Sequence, residues 1–375
     1  MSRVLWRKIA DDLLAKLDNG EYSVGEKLPT SYQLAEQCGV SLVTAHKALE
    51  ELQRAGVVIR SGRRGTVVVK RERPKTGRIA FIVDQIDFAL NFPRPELLAA
   101  IHEKLGSEYN LVICDSKASV RREIELLDQM AEEADGILCW PTGQEAAGPT
   151  MSRLIAKGVP LVLLDRVPSG VRADVVLTDS ASATRQAAEF LIERGHRRIG
   201  LLTFDKPEVS TVVERCGTFA AIMSEYDIAA PDLVRRLPAT LEVQDREHFP
   251  QVIDDALFAL LNGPSPATAV LCVQDILGVA VLKYTEKFDL KIPEDLEIVT
   301  FNDWPPHWLG RPWQAHRIAV QPSDMGSAAM NRLLAQIKGK AGELGPHHIP
   351  TVFVPADSLV ASTYDFHPEN AMEIS

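Results

Sequence analysis

From Arg78 onward the chain repeats one pattern: a short, nearly continuous apolar run followed by an amphipathic stretch. The runs "RIAFIVDQID", "NLVICDS", "DGILCW" and "PLVLLDR" are separated by "PELLAAIHEKLGSEY", "VRREIELLDQMAEEA" and "TMSRLIAKG". A strand that is apolar on both faces must be covered on both faces. A parallel neighbour needs a long crossover, and a helix after each strand supplies both. The alternation then restarts. "SATRQAAEFLIERG" reads as a helix and "RRIGLLTF" as a strand; "ERCGTFAAIMSEY" and "QVIDDALFALLNG" follow as helices. "TAVLCV", "ILGVAVLKYTEKF" and "LEIVTF" read as strand, helix and strand. The expectation is two α/β lobes with parallel sheets.

The first 70 residues have a different texture. In "WRKIADDLLAKLDNGEY", Ile9, Leu13 and Leu17 recur four apart, which predicts an amphipathic helix ended by Gly20. Thr30 and Gln33 have capping-box spacing at the start of a second helix that Gly39 stops. Ser41 caps a third, running to about Glu51 and closed by Gly56. Two short helices around a tight glycine turn make a helix-turn-helix. "VVIRSGRRGTVVV" then places two β-branched runs around a basic, glycine-rich tip, the pattern of a hairpin. Helix, helix, helix, hairpin is a winged helix.

The pieces "GEKLPTSYQLAEQCGVS", Thr44-x-x-x-Ala48-Leu49 and "GRRGTVV" resemble the head of GntR-type regulators in order and spacing. The resemblance implies a face on duplex DNA made by Thr30, Ser31, Tyr32, Ser41, Leu42, Val43, Thr44, His46, Lys47, Arg63, Arg64 and Gly65. Val40, Ala45, Ala48, Leu49 and Leu52 would face inward. Two departures stand out. Leu42 and His46 occupy positions where the family usually has arginine, and Ser31-Tyr32 replaces Glu-Arg. Leucine meets a thymine methyl but no guanine edge, so an operator unlike the usual one is expected, with phosphate grip from Thr30, Ser31, Tyr32, Thr44, Lys47, Arg63 and Arg64. The alternative is a head that has lost specific DNA binding and remains on a cytoplasmic sugar sensor.

"DGIL", "GVPLVLLDR", "LIERGHRRIGLL", "AVLCVQDILGVAVL", "IPEDLEIVTFND", "VQPSDMGSAAMNRLL" and "VFVPADSLVAS" resemble the LacI/GalR effector domain, which shares its fold with periplasmic binding proteins. The fold implied is α/β: an N-terminal winged helix-turn-helix (1–70), a linker (71–77), a two-lobed domain with parallel sheets (78–365) and a tail (366–375). The pairing resembles the arabinose-repressor type of Gram-positive bacteria, which implies a sugar-like effector between the lobes. Asp165 ends "PLVLLD", Arg215 opens "RCGTFAAI", Thr211 lies one turn before it, and Asp275 follows "VLCVQ"; these match pocket positions, as does Asn302, an aspartate in the family's "GFDD". Carboxylates accept from hydroxyls, an arginine fork donates to two oxygens, and Phe88, Phe92, Trp304 and Trp308 are candidates to cover a sugar ring. Other roles stay open: Asp275 as an N-cap, Arg215 in a surface salt bridge, the tryptophans as core, and His196 as a loop residue packing a helix end. "PADS", Pro355 to Ser358, stands where the family has "VRES".

Length and charge fit this division. A chain of 375 residues is too long for one ordinary core. Residues 1–77 hold 14 Lys+Arg against 9 Asp+Glu, leaving 27 against 42 for the rest: a basic head on an acidic body. The N-terminus has acids and no apolar core, so a cytoplasmic protein is expected rather than a secreted binding protein. Cys38, Cys114, Cys139, Cys216 and Cys272 are widely spaced and read as buried free thiols. No P-loop, H-E-x-x-H, G-x-S-x-G or metal-spaced Cys/His set occurs, and the pair His347-His348 reads as loop; neither an enzyme nor a cofactor or metal is expected. The expected partners are a double-stranded operator, a small effector and a second copy of the chain.

Overall fold

The computed structural model describes residues 2–18, 21–23, 25–61, 65–69, 76–86, 93–239, 248–301, 314–340 and 342–356. Expectations for Gly20, Arg63, Arg64, most of the linker, Phe88, Phe92, Asn302, Trp304, Trp308 and the tail therefore lie outside the described residues. The chain divides into two compact units, Met1–Thr76 and Gly77–Ser375.

The first unit is built by local signals. Helix α1 spans Ser2–Asp18, α2 spans Ser31–Cys38 and α3 spans Leu42–Arg54. Thr30 and Gln33 form the full capping box: the Gln33 N–H donates to Thr30 Oγ1 at 3.3 Å, and the Thr30 N–H to Gln33 Oε1 at 2.9 Å. Gly39 ends α2 with φ 63°, a left-handed position that suits glycine. Ser41 then caps α3 by accepting from the Thr44 N–H at 3.2 Å. Strands β1 (Val58–Ser61) and β2 (Gly65–Val68) pair antiparallel, and Leu28 and Gly25 donate to Thr66 and Val68 from the far side. The core joins Ile9, Ala10 and Leu13 of α1 to Ala45, Ala48, Leu49 and Leu52 of α3, with Val58 and Val68 beneath. Val40 packs against this core only partly buried.

Among the described residues the second unit holds two six-stranded sheets. The first lobe contains β3 (Arg78–Val83), β4 (Asn110–Asp115), β5 (Gly136–Cys139), β6 (Leu161–Leu164), β7 (Asp174–Thr178) and β13 (Pro346–Ile349), in the order β13-β7-β6-β5-β3-β4 and parallel throughout. The second contains β8 (Ile199–Phe204), β9 (Val234–Leu237), β10 (Ala269–Cys272), β11 (Glu297–Phe301), β12 (His316–Ala319) and β14 (Val352–Val354), in the order β14-β12-β11-β10-β8-β9. Only β14, on β12, runs antiparallel. Helices α4 (Pro95–Leu105), α5 (Val120–Glu133) and α6 (Gly148–Ala156) follow strands of the first lobe. Helices α7 (Ser180–Glu193), α8 (Ser210–Glu225), α9 (Phe249–Leu261) and α10 (Asp275–Lys287) belong to the second.

The chain passes between the lobes three times. It leaves the first after β7, returns after β12 through α11 (Pro322–Ile337), and leaves again between β13 and β14. Helix α11 buries Met325, Ala329, Met330 and Leu333 against Ile79, Phe81, Leu97 and Leu138. Arg332 Nε donates to Asp174 Oδ1 at 2.6 Å, and the Gln336 amide bonds Asp174 and both backbone groups of Leu161. At Gly326 a Cβ would stand 2.7 Å from the Leu97 carbonyl, so glycine is what lets α11 and α4 close.

Three expectations are corrected. His347 and His348 are not in a loop: they form β13 and pair with Val176 and Leu177 of β7. The cysteines are free, but Cys38 is exposed and Cys114 only half-buried; the other three are buried. Helix α3 runs three residues past Glu51, because Leu52 completes its inward stripe.

Candidate DNA-binding face and effector cavity

In the first unit, the inward stripe of α3 leaves Ser41, Leu42, Val43, His46 and Lys47 on the opposite, exposed face, with Thr44 half-buried. Tyr32 is 75% exposed and Val43 66%; large side chains left this open on a small domain are free to meet a partner. Thr30 is exposed and Ser31 half-buried at the start of α2; Gly65 opens β2. The serine and threonine hydroxyls of this set are already engaged: Ser41 Oγ and Thr44 Oγ1 lie 2.8 Å apart, Thr30 Oγ1 donates to Gln33 Oε1 at 2.9 Å, and Ser31 Oγ accepts from Arg60. Arg60 on β1 was not foreseen. Its Nη2 lies 3.0 Å from His46 Nδ1 and 3.5 Å from Ser31 Oγ, so a wing-strand arginine sits on the helix-turn-helix itself. Strand alternation puts Arg60 on the same face as buried Val58, toward the helices, but does not say which helix it meets.

In the second unit, a cavity of about 190 Å³ lies where the strands of both lobes end. One water needs only about 10–15 Å³ by this measure, so there is room for a small organic molecule. Such a crevice at the carboxyl ends of parallel strands is where α/β sheets bind ligands. Asp165, Thr211, Arg215 and Asp275 all line it. Asp165 follows β6 with φ 62°, a left-handed conformation that aspartate tolerates and that turns the chain at the rim. Thr211 and Arg215 share one face of α8. That helix begins at Ser210, so Arg215 lies in its second turn rather than opening it.

Arg215 is 5% exposed, which excludes a surface salt bridge. Its Nη1 donates to the Val273 carbonyl at 2.7 Å and its Nε to Ser180 Oγ at 3.2 Å, and its guanidinium sits 4.0 Å from the Phe301 ring centroid. These contacts fix the fork before any ligand arrives. Burial pulls its pKa down, opposed by Asp165 and Asp275. Asp275 is the first residue of α10; the N-cap is Gln274, and Asp275 Oδ1 accepts from the Ile276 N–H at 2.8 Å. Burial pushes its carboxyl up to about 6, against the pull of that N–H, Arg94 and Arg215. Asp165 is also raised by burial, with Arg166 and Arg215 opposing.

Asp84 and Arg166 also line the cavity and were missed. They pair at 2.8 Å, and Arg166 Nε lies 3.5 Å from Asp165. Asp84 directly follows the apolar run "FIV", and Arg166 stands one residue beyond "LVLL", so the strand-end rule marks them. Gln274, beside Asp275, is a further lining residue. Carboxyls and guanidiniums alternate around the wall, the chemistry of a polyol site: acceptors and donors are both present, and the charges roughly balance. His196 lies outside the cavity. Its Nδ1 is 2.8 Å from Thr268 Oγ1 and its Nε2 2.6 Å from Glu297 Oε2, so it ties the end of α7 to β11. Among the described residues no group of three or more His, Cys, Asp or Glu is arranged to hold a metal. No helix among them is long and apolar enough to cross a membrane.

The comparisons agree with both units. Residues 5–68 match the model of bacterial regulatory proteins of the gntR family, and residues 188–359 match the periplasmic binding protein-like domain. The chain is 25% identical over 308 residues to the arabinose metabolism transcriptional repressor of Geobacillus stearothermophilus, covering 79% of this chain and 81% of that one. It is 28% identical over 248 residues to the ribose operon repressor of Haemophilus influenzae, covering 65% and 70%. Among solved structures it is similar to the complex of the transcriptional regulator CelR with cellobiose (TM-score 0.63, 20% identity, 87% of this chain and 98% of that one). The transcription regulator CcpA of Lactococcus lactis is also similar (TM-score 0.60, 19% identity, 74% and 97%). The chain therefore joins a GntR-type helix-turn-helix domain to a two-lobed, periplasmic-binding-protein-like domain with parallel sheets.

Proposed function

We propose that this protein is a cytoplasmic transcriptional repressor that binds an operator as a homodimer and is controlled by a sugar-like effector held between its lobes. The observation that carries this is the prebuilt cavity: Arg215 is locked by Ser180 and Val273 with its charge facing Asp165 and Asp275, on a chain that also carries a capped helix-turn-helix. Two heads related by a twofold axis meet a near-palindromic site in successive major grooves. A coupling of about 1–3 kcal/mol between cavity and head changes DNA affinity about 5–150-fold. The relatives named above are transcriptional regulators.

The test is a thermal-shift screen of the full chain against pentoses, hexoses, uronic acids and their phosphates. A true effector at a hundred times its dissociation constant adds about 2.7 kcal/mol of apparent stability. The same compound must then weaken binding to a duplex selected from a random library. Failure of every hydroxylated compound to stabilise the chain would refute the sugar-like effector. A second reading, a sensor whose head no longer selects DNA, draws on Leu42 and His46 in place of arginines. It is decided by whether any duplex is selected over random DNA.

A further inference from the structure

The recognition helix exposes Lys47 beside Leu42, Val43 and His46, while its other cation, Arg54, lies in the last turn paired with Glu51. A second cation reaches this face from outside α3. A guanidinium only donates, so in the Arg60–His46 contact at 3.0 Å the imidazole Nδ1 is the acceptor and the ring proton lies on Nε2. That nitrogen lies 3.4 Å from Glu50 Oε1, one turn along the same helix, where a donor belongs. Ser31 Oγ, at the first position of α2, offers a second acceptor at 3.5 Å. Arg60 is thus steered by two acceptors, and among the described residues it forms no ion pair. Among the described residues its contacts engage Nη2 alone, leaving Nη1 and Nε to donate elsewhere.

The place matters as much as the charge. Arg60 sits at the N-terminal turn of α2, where outward N–H groups and the helix dipole already favour an anion. In a helix-turn-helix this helix crosses the DNA backbone while the next one enters the groove. Resting on the reading of the head as DNA-binding, we propose that Arg60 grips a backbone phosphate of the duplex, and that His46 and Ser31 are positioning residues that hold its guanidinium there. On this account His46 does not replace the usual recognition-helix arginine by touching a base. It imports an arginine from the wing strand.

A phosphate contact acts on any sequence, so the test needs no known operator. The full-length chain and its variants are titrated at several salt concentrations with a random-sequence duplex and with the best duplex from a selection. Arg60→Gln is expected to weaken both alike and to reduce the slope of log K against log salt by about 0.9 per bound head. Arg60→Lys restores the slope because the charge returns. His46→Ala keeps the slope but lowers affinity about fivefold, and His46→Gln, whose side-chain oxygen can accept from Arg60, recovers it. Unchanged slope and affinity in Arg60→Gln would overturn the proposal. So would a loss confined to one base pair of the selected duplex, because that marks base reading. If the unaltered chain binds neither duplex at low salt, the DNA-binding reading fails first.

Discussion

Replacing Asp275 by asparagine separates the electrostatics of the cavity from its shape. The amide is nearly isosteric with the carboxyl and keeps an oxygen for the Ile276 N–H, but it carries no charge at any pH. In the folded chain burial raises Asp275 from 3.8 to about 6. The folded state then holds this proton more tightly than the unfolded state, so this group's contribution to stability is fully present below pH 3.8 and is lost as pH rises through about 6. The gap corresponds to about 3 kcal/mol once the carboxylate is fully ionised. Asp275→Asn escapes that penalty. At pH 8 the variant is expected to melt higher than the unaltered chain by roughly 5 °C, given the few degrees per kcal/mol of a domain this size. At pH 4.5 the advantage falls to about a third, roughly 1 kcal/mol, and it vanishes only below pH 3.8. The assay is intrinsic-fluorescence melting without ligand, as the difference between the two proteins across pH, so that Asp165 and other shared groups cancel. A variant equally or less stable at pH 8, or a difference that does not change with pH, refutes the argument that burial dominates at this carboxyl.

Other perturbations test other parts. Arg215→Ala leaves the Val273 carbonyl and the Ser180 hydroxyl without their donor and removes the cation facing Asp165 and Asp275; a loss of about 3 kcal/mol in denaturant melting, together with loss of effector stabilisation, is expected. Thr30→Ala breaks the capping box and costs about 1 kcal/mol, read as an earlier melt of the isolated 1–76 unit if it folds alone and otherwise of the first transition of the full chain. Gly326→Ala drives a methyl into the Leu97 carbonyl and is expected to cost about 1–3 kcal/mol, although alanine is the better helix former. A stabilised Gly326→Ala chain would show that α11 can shift freely.

The head was legible because its signals are local. Thr30 and Gln33, Gly39, and Ser41 each act within one helical turn of where they stand. In the body, the strands read correctly were central ones buried on both sides, together with β4, an edge strand that its apolar run "LVIC" gave away. The missed strands β9, β12 and β13, "VRRL", "HRIA" and "PHHI", mix charge with apolar residues and exist because a neighbour offers its edge. Strand β7, "DVVLT", is buried but follows a loop rather than a helix, so the alternating pattern passes over it. In the cavity, Asp165 and Asp275 were visible as polar residues ending apolar runs. The Arg215 contacts with Ser180 and Val273 span 35 and 58 residues, and Arg60 meets His46 across 14. No window of sequence contains such pairs.

The return of α11 has a consequence for how the chain is made. When synthesis has reached Asp179, five of the first lobe's six strands exist, but the face that Met325, Ala329, Met330 and Leu333 will cover is bare. That lobe must wait for five of its sister's six strands to emerge before its own interior closes. A half-finished chain therefore exposes Ile79, Phe81 and Leu138 to water and to other nascent chains, and any stop codon before Pro322 strands the molecule in that condition.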